Sequence, residues 1–500
     1  MRDRPPTIIE LLADHPPELP DDPGLRASIR RLRAMDGRLL AILDDDPTGS
    51  QAVHDVQVVT ILDEAAYEDA FAAAADGTAS CFVLTNSRSL PGGAAAALTA
   101  DAARGLLAAA AGRTSGESSL PGCAPLDLIS RSDSTLRGHV IEEITALSDV
   151  LSETSGAGPD GVLFVPAFIE AGRLTIGDVH WARGEEGMVP VGETEFAQDR
   201  VFGYATSNLR EFLAAKSGAF TPDAVASISL ADIRSGGGSR IREVLAAARD
   251  GRWIVVNAAA YSDLETVAHA VLLAERSGQS FLFRTGPSFV RALSGIEPRP
   301  PLRGHDLAPA RKRGERAGNG AHGLIVVGSH VGQTTRQLDA LMAKRILTPV
   351  ELEVAEVING ARDVVSTAAK RVTTALRHSD VVLYTSRKVI LADAGQDDLA
   401  VARAVSAALA ATVRLSLASE PAWIIAKGGI TSHDVAVHGL GIRRAEVTGQ
   451  LFPGLISVFR PADATPAAIG MPYVVFPGNV GGVDALAEVV ALLHDGDLDP

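Results

Sequence analysis

The sequence predicts an α/β protein of two domains, each a mostly parallel sheet flanked by helices. Short apolar runs alternate with alanine-rich stretches of helical length, which is the pattern of successive βαβ units. The pattern is broken at 296–322, where proline, glycine and arginine replace the apolar periodicity. We therefore expect an N-terminal lead-in at 1–37, a first domain at 38–296, a linker at 297–322 and a second domain at 323–500.

Each strand is assigned to a short apolar run bounded by polar residues, and each helix to a longer alanine-rich run. In the first domain the predicted strands are 38–43, 56–62, 81–85, 126–130, 161–165, 253–258 and 281–284. The predicted helices between them are 94–112, 139–153, 206–215, 239–250 and 263–277. In the second domain the predicted strands are 323–327, 381–385, 422–426, 455–459 and 473–476. Its predicted helices are 332–343, 360–376, 396–418 and 483–494.

Composition narrows the class of protein. The chain has 500 residues, 46% hydrophobic and 21% charged, which is ordinary for a globular protein. A net charge of −15 argues against broad nucleic-acid binding. Two cysteines, Cys81 and Cys123, cannot form a disulfide framework or a structural zinc site, so we expect a cytoplasmic protein. We expect no signal peptide and no membrane span, because no apolar run is long enough for either.

Polar and charged residues follow three apolar strands of the first domain. The stretches are LLAILDDDPTG at 39–49, CFVLTNSRS at 81–89 and LDLISRSDSTLRGH at 126–139. Parallel strands end along one edge of a sheet, where ligands bind, so we expect these side chains to face one another. Carboxylates and guanidiniums around one cleft suit a polar, anionic substrate with hydroxyl groups. The candidates are Asp44, Asp45, Asp46, Asn86, Arg88, Arg131, Asp133 and Arg137.

Glycine-rich turns follow three strands of the second domain, in GLIVVGSH, AWIIAKGGITSHD and MPYVVFPGNVGG. Glycine lets the backbone approach a ligand closely, and the N-terminus of the next helix favours phosphate. Three such turns at one edge predict a seat for a nucleotide triphosphate. The sequence contains neither a GxxxxGK[ST] loop nor a GxGxxG fingerprint with its acidic partner.

Structural alternatives stand beside these interpretations. Asp-Pro-Thr-Gly is also a good turn sequence, and Asp133-Ser134 is a good helix N-cap. His433 and His438 are five residues apart and share no helical face, so they are read as surface or packing residues. Lys427 is either a phosphate ligand or an exposed lysine at a strand end.

These motifs resemble the four-carbon acid sugar kinase family. Its Asp-Asp-x-Thr-Gly motif is matched by Asp45 to Gly49, and its basic-x-Asp-Ser-Thr-Leu-Arg-Gly motif by Arg131 to Gly138. The stretch ETEFAQDRVFGYATSNL at 193–209 is also similar. The turns matched to the family's nucleotide-contacting segments contain Gly328, Ser329, Gly428, Gly429, Ile430, Thr431, Gly478, Asn479 and Gly481. The resemblance spans roughly 38–495.

The resemblance implies a sugar-acid-binding domain, a nucleotide-binding domain and an active site in the cleft between them. It implies ATP-dependent phosphorylation of a hydroxyl on an acid sugar such as 3-oxo-tetronate, threonate or erythronate, with Mg²⁺ whose ligands the sequence does not identify. A branched acid sugar such as 3-oxo-isoapionate is an alternative substrate. The chain departs from the family at Ile430, where many members have glutamate, and at Arg131, where lysine is common. Pro47 and the additional Asp44 are further departures.

Residue chemistry suggests roles within that reaction. Asp45 or Asp46 is the candidate base, and the choice between them stays open. Arg88, Arg131 and Arg137 are candidate ligands of a carboxylate, because guanidinium binds it bidentately. Candidate ligands of the sugar hydroxyls are Asp45, Asp133 and Asn86, and Ser134 is a further candidate for binding the substrate. The competing classes are a metal-dependent hydrolase or aldolase and a non-catalytic ligand-binding protein. A homodimer is expected only because symmetric dimers are common.

Overall fold

The computed structural model describes most of the chain. It describes all residues except 1–3, 47–48, 51, 75–79, 112–125, 237, 308–321, 330–331, 362, 387–397, 453, 479 and 496–500. The fold divides into two compact units, Met1–Pro298 and Arg299–Pro500. Both are α/β units with a mostly parallel sheet, which confirms the predicted fold class.

The first unit is built on a parallel sheet. Its described strands are β1 Leu39–Asp44, β2 Val56–Val59, β3 Ser80–Leu84, β4 Leu126–Arg131, β5 Gly161–Val165, β6 Arg173–Ile176, β7 Val179–Arg183, β8 Met188–Pro190, β9 Ala226–Ile228, β10 Arg252–Val256 and β11 Phe281–Thr285. The main sheet has the order β2-β3-β1-β4-β11-β5-β10-β9, with parallel pairing throughout. Every residue of strands β1 to β5 is buried, as expected for a parallel sheet covered on both faces. Strands β6, β7 and β8 form a separate antiparallel sheet.

Helices cover this sheet, and the hydrophobic core lies between the helices and the strands. They are α1 Ile8–Leu12, α2 Pro23–Asp36, α3 Glu64–Ala73, α4 Gly92–Ala111, α5 Val140–Ser155, α6 Leu209–Ser217, α7 Leu230–Arg234, α8 Ser239–Ala246, α9 Tyr261–Arg276 and α10 Pro287–Ser294. One core cluster joins Leu106 of α4, Leu147 of α5 and Leu128 of β4. Helix α4 has the length and apolar composition to cross a membrane, but its buried face packs in this core.

The predicted N-terminal lead-in contains a helix that packs on the first unit. Helix α2 starts after the N-cap Asp22, which accepts a hydrogen bond from the backbone N–H of Leu25, and it ends at Gly37. Arg33 of this helix is buried and donates to Asp127 at 2.8 Å. Buried Arg26 donates to Glu297 at 2.6 Å. Both ion pairs join α2 to other elements of the first unit.

The second unit has a mixed sheet. Its described strands are β12 Leu324–Val327, β13 Leu347–Leu352, β14 Asp380–Thr385, β15 Ile424–Lys427, β16 Arg444–Phe452, β17 Ile456–Asp463 and β18 Tyr473–Phe476. Strands β13-β14-β12-β15-β18 are parallel, and β17 and β16 continue the order antiparallel. The described helices are α11 Gly332–Lys344, α12 Val354–Ile358, α13 Val364–Ala375, α14 Asp398–Ser416, α15 Gly429–Asp434 and α16 Ala485–Asp495.

Part of the predicted linker belongs to the second unit. Leu302 and Leu307 are buried in its core, and a short helix spans Gly304–Leu307. Because these leucines bury apolar surface, the predicted linker is packed against the second unit as far as residue 307. The remainder of the predicted linker at 308–321 lies outside the described residues.

The sequence analysis missed several strands for identifiable reasons. Strand β13 contains Pro349, and proline fits there because β13 lies at the edge of this unit's strand order. Strand β16 alternates buried and half-exposed residues, so its sequence lacks the continuous apolar run that predicts a buried strand.

Candidate functional site

Three strand ends of the first unit meet in register. Asp44, the last residue of β1, pairs with Leu84 of β3 on one side and Arg131 of β4 on the other. From β1 the chain continues to β2 on one side, whereas from β4 it continues to β5 on the other side, so the strand order reverses between β1 and β4. Ligands of open α/β sheets bind at such a switch point. The turns after β1, β3 and β4, which carry the predicted acidic and basic residues, therefore share this edge.

Asp44 and Arg131 form a buried ion pair at this edge. Arg131 Nη1 donates to Asp44 Oδ1 at 2.8 Å, and Asp44 Oδ2 has no hydrogen-bond partner among the described residues. Burial raises the pKa of Asp44 to about 7, against the lowering effect of Arg131 and with help from neighbouring Asp45 and Asp46. A Cβ on Gly49 would overlap both partners of the pair, so only glycine fits there. Arg131, a predicted ligand of substrate carboxylate, is thus paired within the protein.

Asp45 and Asp46 have different surroundings. Asp45 is 1% exposed and accepts hydrogen bonds from Arg88 Nε at 3.2 Å, from Arg88 Nη2 and from Ser132 Oγ at 2.8 Å. The side chain of Asp46 is 27% exposed and accepts from Arg88 Nη1 at 3.1 Å. Both oxygens of Asp45 are therefore committed to protein donors, whereas Asp46 presents part of its carboxylate to solvent.

Arg88 and Asn86 follow β3. Arg88 bridges Asp45 and Asp46, so its guanidinium also has protein partners. Asn86 has a left-handed backbone with φ of 51°, and its side chain makes no capping hydrogen bond. Asparagine tolerates this conformation better than most residues, and such backbones are frequent at ligand sites.

The turn after β4 holds a second pair of charges. Arg137 Nε donates to Asp133 Oδ2 at 2.6 Å, and Thr135 Oγ1 donates to the same oxygen. Burial acts to raise the pKa of Asp133, but Arg88 and Arg137 outweigh it and hold this pKa well below its usual range. Asp133 is therefore an ionised hydrogen-bond acceptor at neutral pH.

This turn is not the cap of the next helix. Helix α5 begins at Val140, and the residue before it is His139, so neither Asp133 nor Ser134 caps it. Ser134 is buried, and its hydroxyl accepts a hydrogen bond from Arg173 Nη1 at 3.3 Å. The N-cap alternative for Asp133-Ser134 is thus wrong.

Two arginines near the site were not predicted. Arg173 is the first residue of β6, in the short antiparallel sheet that the sequence analysis missed. Arg284, in β11, is buried, donates to Ser132 Oγ at 2.6 Å and pairs with Glu143. An arginine inside the apolar run FLFRT was the available signal for Arg284, because a buried guanidinium needs a partner.

The three glycine turns of the second unit also converge. Val327, Lys427 and Phe476 end β12, β15 and β18 in register. A Cβ on Gly478 would lie 3.1 Å from Ser329 Oγ, and one on Gly428 would lie 3.0 Å from Ser329 Cβ. Gly428 of the second turn and Gly478 of the third therefore both lie beside Ser329 of the first turn.

Hydrogen bonds fix the third turn against helix α11. Thr334 Oγ1 donates to the carbonyl of Gly478 at 2.9 Å, and Gln333 Nε2 donates to that of Gly481 at 2.8 Å. Gln337 Nε2 donates to the carbonyl of Gly482 at 2.8 Å. Asn479, also predicted here, lies outside the described residues.

The second turn opens into helix α15. Gly428 has φ of 117°, a backbone that favours glycine, and α15 begins at Gly429. Ile430 is 50% exposed, whereas Thr431 is buried and lies where a Cβ on Gly328 would overlap its hydroxyl. An exposed isoleucine thus stands where many family members carry glutamate.

Lys427 is not exposed, so the alternative of an exposed strand-end lysine is wrong. Its side chain is fully buried, and Nζ donates to the carbonyls of Pro477 at 2.5 Å and Gly478 at 3.2 Å. The ammonium lies 3.9 Å from the centre of the Phe476 ring. Burial lowers the pKa of Lys427 to about 7. Lys427 therefore joins the second turn to the third.

The described side chains do not form a metal cage. No group of three or more histidine, cysteine, aspartate or glutamate residues within the described ranges is arranged to hold a metal ion. The described residues therefore identify no set of protein ligands for Mg²⁺.

Comparison with known proteins agrees with the division into two units. A family model described as a sugar-binding N-terminal domain matches residues 40–293, and one described as a nucleotide-binding C-terminal domain matches 324–486. The chain belongs to the four-carbon acid sugar kinase family. A relative named D-erythronate kinase, from Heliobacterium modesticaldum, is 32% identical over 218 residues. The match spans 42% of this chain and 42% of that relative.

Solved structures of low identity share the fold of this family member. The Haemophilus influenzae protein HI1011 has a TM-score of 0.57 at 17% identity, covering 91% of this chain and 100% of its own. A Salmonella typhimurium protein described as a putative tRNA synthase has a TM-score of 0.62 at 14% identity, covering 90% of this chain and 98% of its own. These likenesses support the α/β architecture alone.

Proposed function

We propose that the protein is an ATP-dependent kinase that phosphorylates a hydroxyl of a small acid sugar such as 3-oxo-tetronate, threonate or erythronate. The observation that carries the proposal is Asp46, a partly exposed carboxylate held by Arg88 at the sheet switch point of the sugar-binding unit. The D-erythronate kinase relative supports the same substrate class. The cytoplasm is the proposed compartment, and a homodimer stays a prediction.

We assign the role of base to Asp46 rather than Asp45. A base must reach the hydroxyl of the substrate, and Asp45 has protein donors on both oxygens. Arg88 orients Asp46 and balances its charge. The hydroxyl oxygen attacks the γ-phosphorus of ATP, the bond between that phosphorus and the β–γ bridging oxygen breaks, and Asp46 accepts the hydroxyl proton late. Positioning and charge neutralisation supply most of the catalysis in such transfers.

The remaining polar groups suit recognition of a polyol. Ionised Asp133 accepts hydrogen bonds from sugar hydroxyls, and Asn86 can donate or accept them. Gly428 and Gly478 lie close to Ser329, and glycine at these turns lets a triphosphate approach the backbone. In this proposal ATP enters with Mg²⁺ bound mainly by its phosphates and water, so no cage of protein carboxylates is required.

The experiment is a screen of ADP release. Purified protein is given Mg-ATP and a panel containing erythronate, threonate, 3-oxo-tetronates and 3-oxo-isoapionate, and ADP is measured with a coupled assay. We expect one or more acids to raise ADP formation well above the rate with ATP alone. ADP release at background with every acid would overturn the proposal. Binding of acids without turnover would instead indicate a non-catalytic protein, and ATP-independent product formation a hydrolase or aldolase.

A further inference from the structure

Arg173 is a half-buried arginine whose guanidinium has no carboxylate partner among the described residues. Its Nη1 donates to Ser134 Oγ at 3.3 Å, and its buried Nε has no hydrogen-bond acceptor in the described part of the chain. Arg88, Arg131 and Arg137 of the same site each pair with an aspartate. Arg173 is therefore the exception among the arginines of this cluster.

The surroundings of Arg173 are poor in compensating charge. The guanidinium lies 5.7 Å from the ring centre of Phe196 and 6.0 Å from that of Phe168. Arg137 lies 5.2 Å from the same Phe196 ring, so two cations share one aromatic residue. Burial lowers the pKa of Arg173, with Arg137 acting in the same direction and Asp133 against it. Withdrawing part of a cation from solvent without a partner carries a cost, so the half-buried guanidinium with its unbonded Nε favours an anion at this position.

The neighbouring His180 adds no further positive charge beside Arg173. Burial lowers the pKa of His180 to about 4, so its ring is neutral at pH 7. His180 Nε2 is hydrogen-bonded to the carbonyl of Ser134 at 2.8 Å, and Nδ1 to Thr175 Oγ1 at 2.9 Å. These bonds fix the turn that contains Ser134, and thereby the position of its hydroxyl against Arg173.

We propose that Arg173 binds the carboxylate of the acid sugar through its Nε and Nη2 edge. These two N–H groups are parallel in a guanidinium and match the two oxygens of a carboxylate, whereas Nη1 is engaged by Ser134. This inference rests on the proposed function for the nature of the ligand. It replaces Arg88 and Arg131, which the sequence suggested for this role and which are occupied by Asp45, Asp46 and Asp44.

This assignment gives each end of the substrate a different receptor. The carboxylate is held beside Phe196 and Arg137, and the hydroxyls extend toward Asp133 and Asp46. A neutral polyol of the same length would cover Arg173 without supplying an anion, so the site should reject it. The discrimination between erythronate and erythritol therefore measures the contribution of Arg173.

The test compares Arg173→Gln, Arg173→Lys and the matched control Arg183→Gln. Arg183 lies near Arg173 but its side chain is exposed. Its backbone N–H donates to the carbonyl of Gly172, the residue before Arg173, and a side-chain substitution leaves that bond intact. We measure KM for D-erythronate, KM for ATP and kcat, and we measure binding of D-erythronate and erythritol by calorimetry without ATP.

Arg173→Gln should raise both KM and Kd for erythronate about 10- to 100-fold, the usual range for a lost hydrogen bond to a charged group. KM for ATP should be unchanged, which also shows that the variant is folded. Arg173→Lys should be intermediate because it keeps the charge and loses the planar fork. Arg183→Gln should match the wild-type protein, and erythritol should bind the wild-type protein at least 10-fold more weakly than erythronate.

Failure of this inference is distinguishable from failure of the kinase proposal. Wild-type turnover with unchanged erythronate affinity in Arg173→Gln would overturn the role of Arg173 and leave the kinase intact. Erythronate binding that is lost in Arg173→Gln, without turnover by the wild-type protein, would support Arg173 and overturn the kinase. Absence of carboxylate binding by the wild-type protein, or equal binding of erythronate and erythritol, would overturn the role of Arg173.

Discussion

Lys427 offers a sharp test of the second unit, because a buried ammonium makes stability depend on pH. The substitution Lys427→Met keeps a long side chain against Phe476 and removes the donor to Pro477 and Gly478. The carbonyl of Gly478 retains its bond from Thr334, whereas that of Pro477 loses the donor described here. An unsatisfied buried carbonyl costs about 1–3 kcal/mol. This loss is opposed by removal of a buried cation.

The pH dependence follows from the pKa of Lys427, which falls from 10.5 in the unfolded chain to about 7 in the folded one. Between these values the unfolded chain binds a proton that the folded chain has released, so stability rises with pH. The slope is about 1.4 kcal/mol per pH unit well inside this window. Between pH 7 and pH 9 the wild-type protein should gain roughly 2 kcal/mol from this residue, and Lys427→Met should gain nothing from it.

The assay is urea-dependent hydrogen exchange of peptides covering β15, which reports the stability of the second unit by itself. The free-energy difference between Lys427→Met and the wild-type protein is compared at pH 7, 8 and 9, so that other titrating groups cancel. Lys344→Met is the control, because Lys344 is exposed and pairs with Asp484 at the surface. A difference for Lys427→Met that stays constant within about 0.5 kcal/mol across this range would refute the reasoning.

Three further predictions concern the base, a turn and a buried acid. Asp46→Asn should lower kcat about 100- to 10,000-fold and leave ATP affinity near wild type, measured by steady-state kinetics and calorimetry, because it removes the proton acceptor. Gly428→Ala should weaken ATP binding with little effect on erythronate binding, both measured by calorimetry, because φ of 117° strains alanine at the turn. Glu275 is buried without hydrogen bonds to described residues, and burial with nearby Asp127 raises its pKa. Its protonated form is favoured in the folded chain, so Glu275→Gln should raise the melting temperature more at pH 9 than at pH 6.

The first two of these predictions have a matched control variant, and all three have a contradicting outcome. Asp101→Asn, at a side chain that is 75% exposed on α4, should retain kcat, and normal turnover by Asp46→Asn would remove Asp46 from catalysis. Gly360→Ala has a similarly strained φ of 69° in open space, so an equal loss of ATP affinity there would show a general effect on folding. A pH-independent effect of Glu275→Gln would contradict a raised pKa.

The edge of charged residues in the first unit could be predicted because it depends on local patterns. A strand followed by a polar turn fixes which end of the sheet the turn occupies, so Asp46, Arg88 and Asp133 could be placed together before the structure was known. The roles within that edge could not be predicted. Asp45 is saturated because Ser132 and Arg88 reach it from two other strand ends, and no sequence pattern gives those distances.

Arg173 shows a second limit. It begins a four-residue strand of a small antiparallel sheet, and such a short segment carries little periodicity. The proposed role of Arg173 depends on the absence of a carboxylate partner among the described residues. That absence can be recognised only when the positions of the surrounding side chains are known. The burial of Lys427 could not be predicted for a related reason, since burial of a lysine depends on the turn that covers it.

The packing of α2 has a practical consequence for work on the sugar-binding half alone. The matched family model starts at residue 40, yet Arg33 neutralises Asp127 of β4, and Arg26 lies 3.3 Å from Glu265 of α9. A shortened chain starting at residue 38 would leave buried Glu265 without Arg26, at a cost of about 3–5 kcal/mol for a broken buried pair. It would also leave Asp127 with Arg38 but without Arg33. The first residue of the matched family model is therefore a poor choice for the first residue of a fragment, and a working fragment should include residues from Asp21 onward.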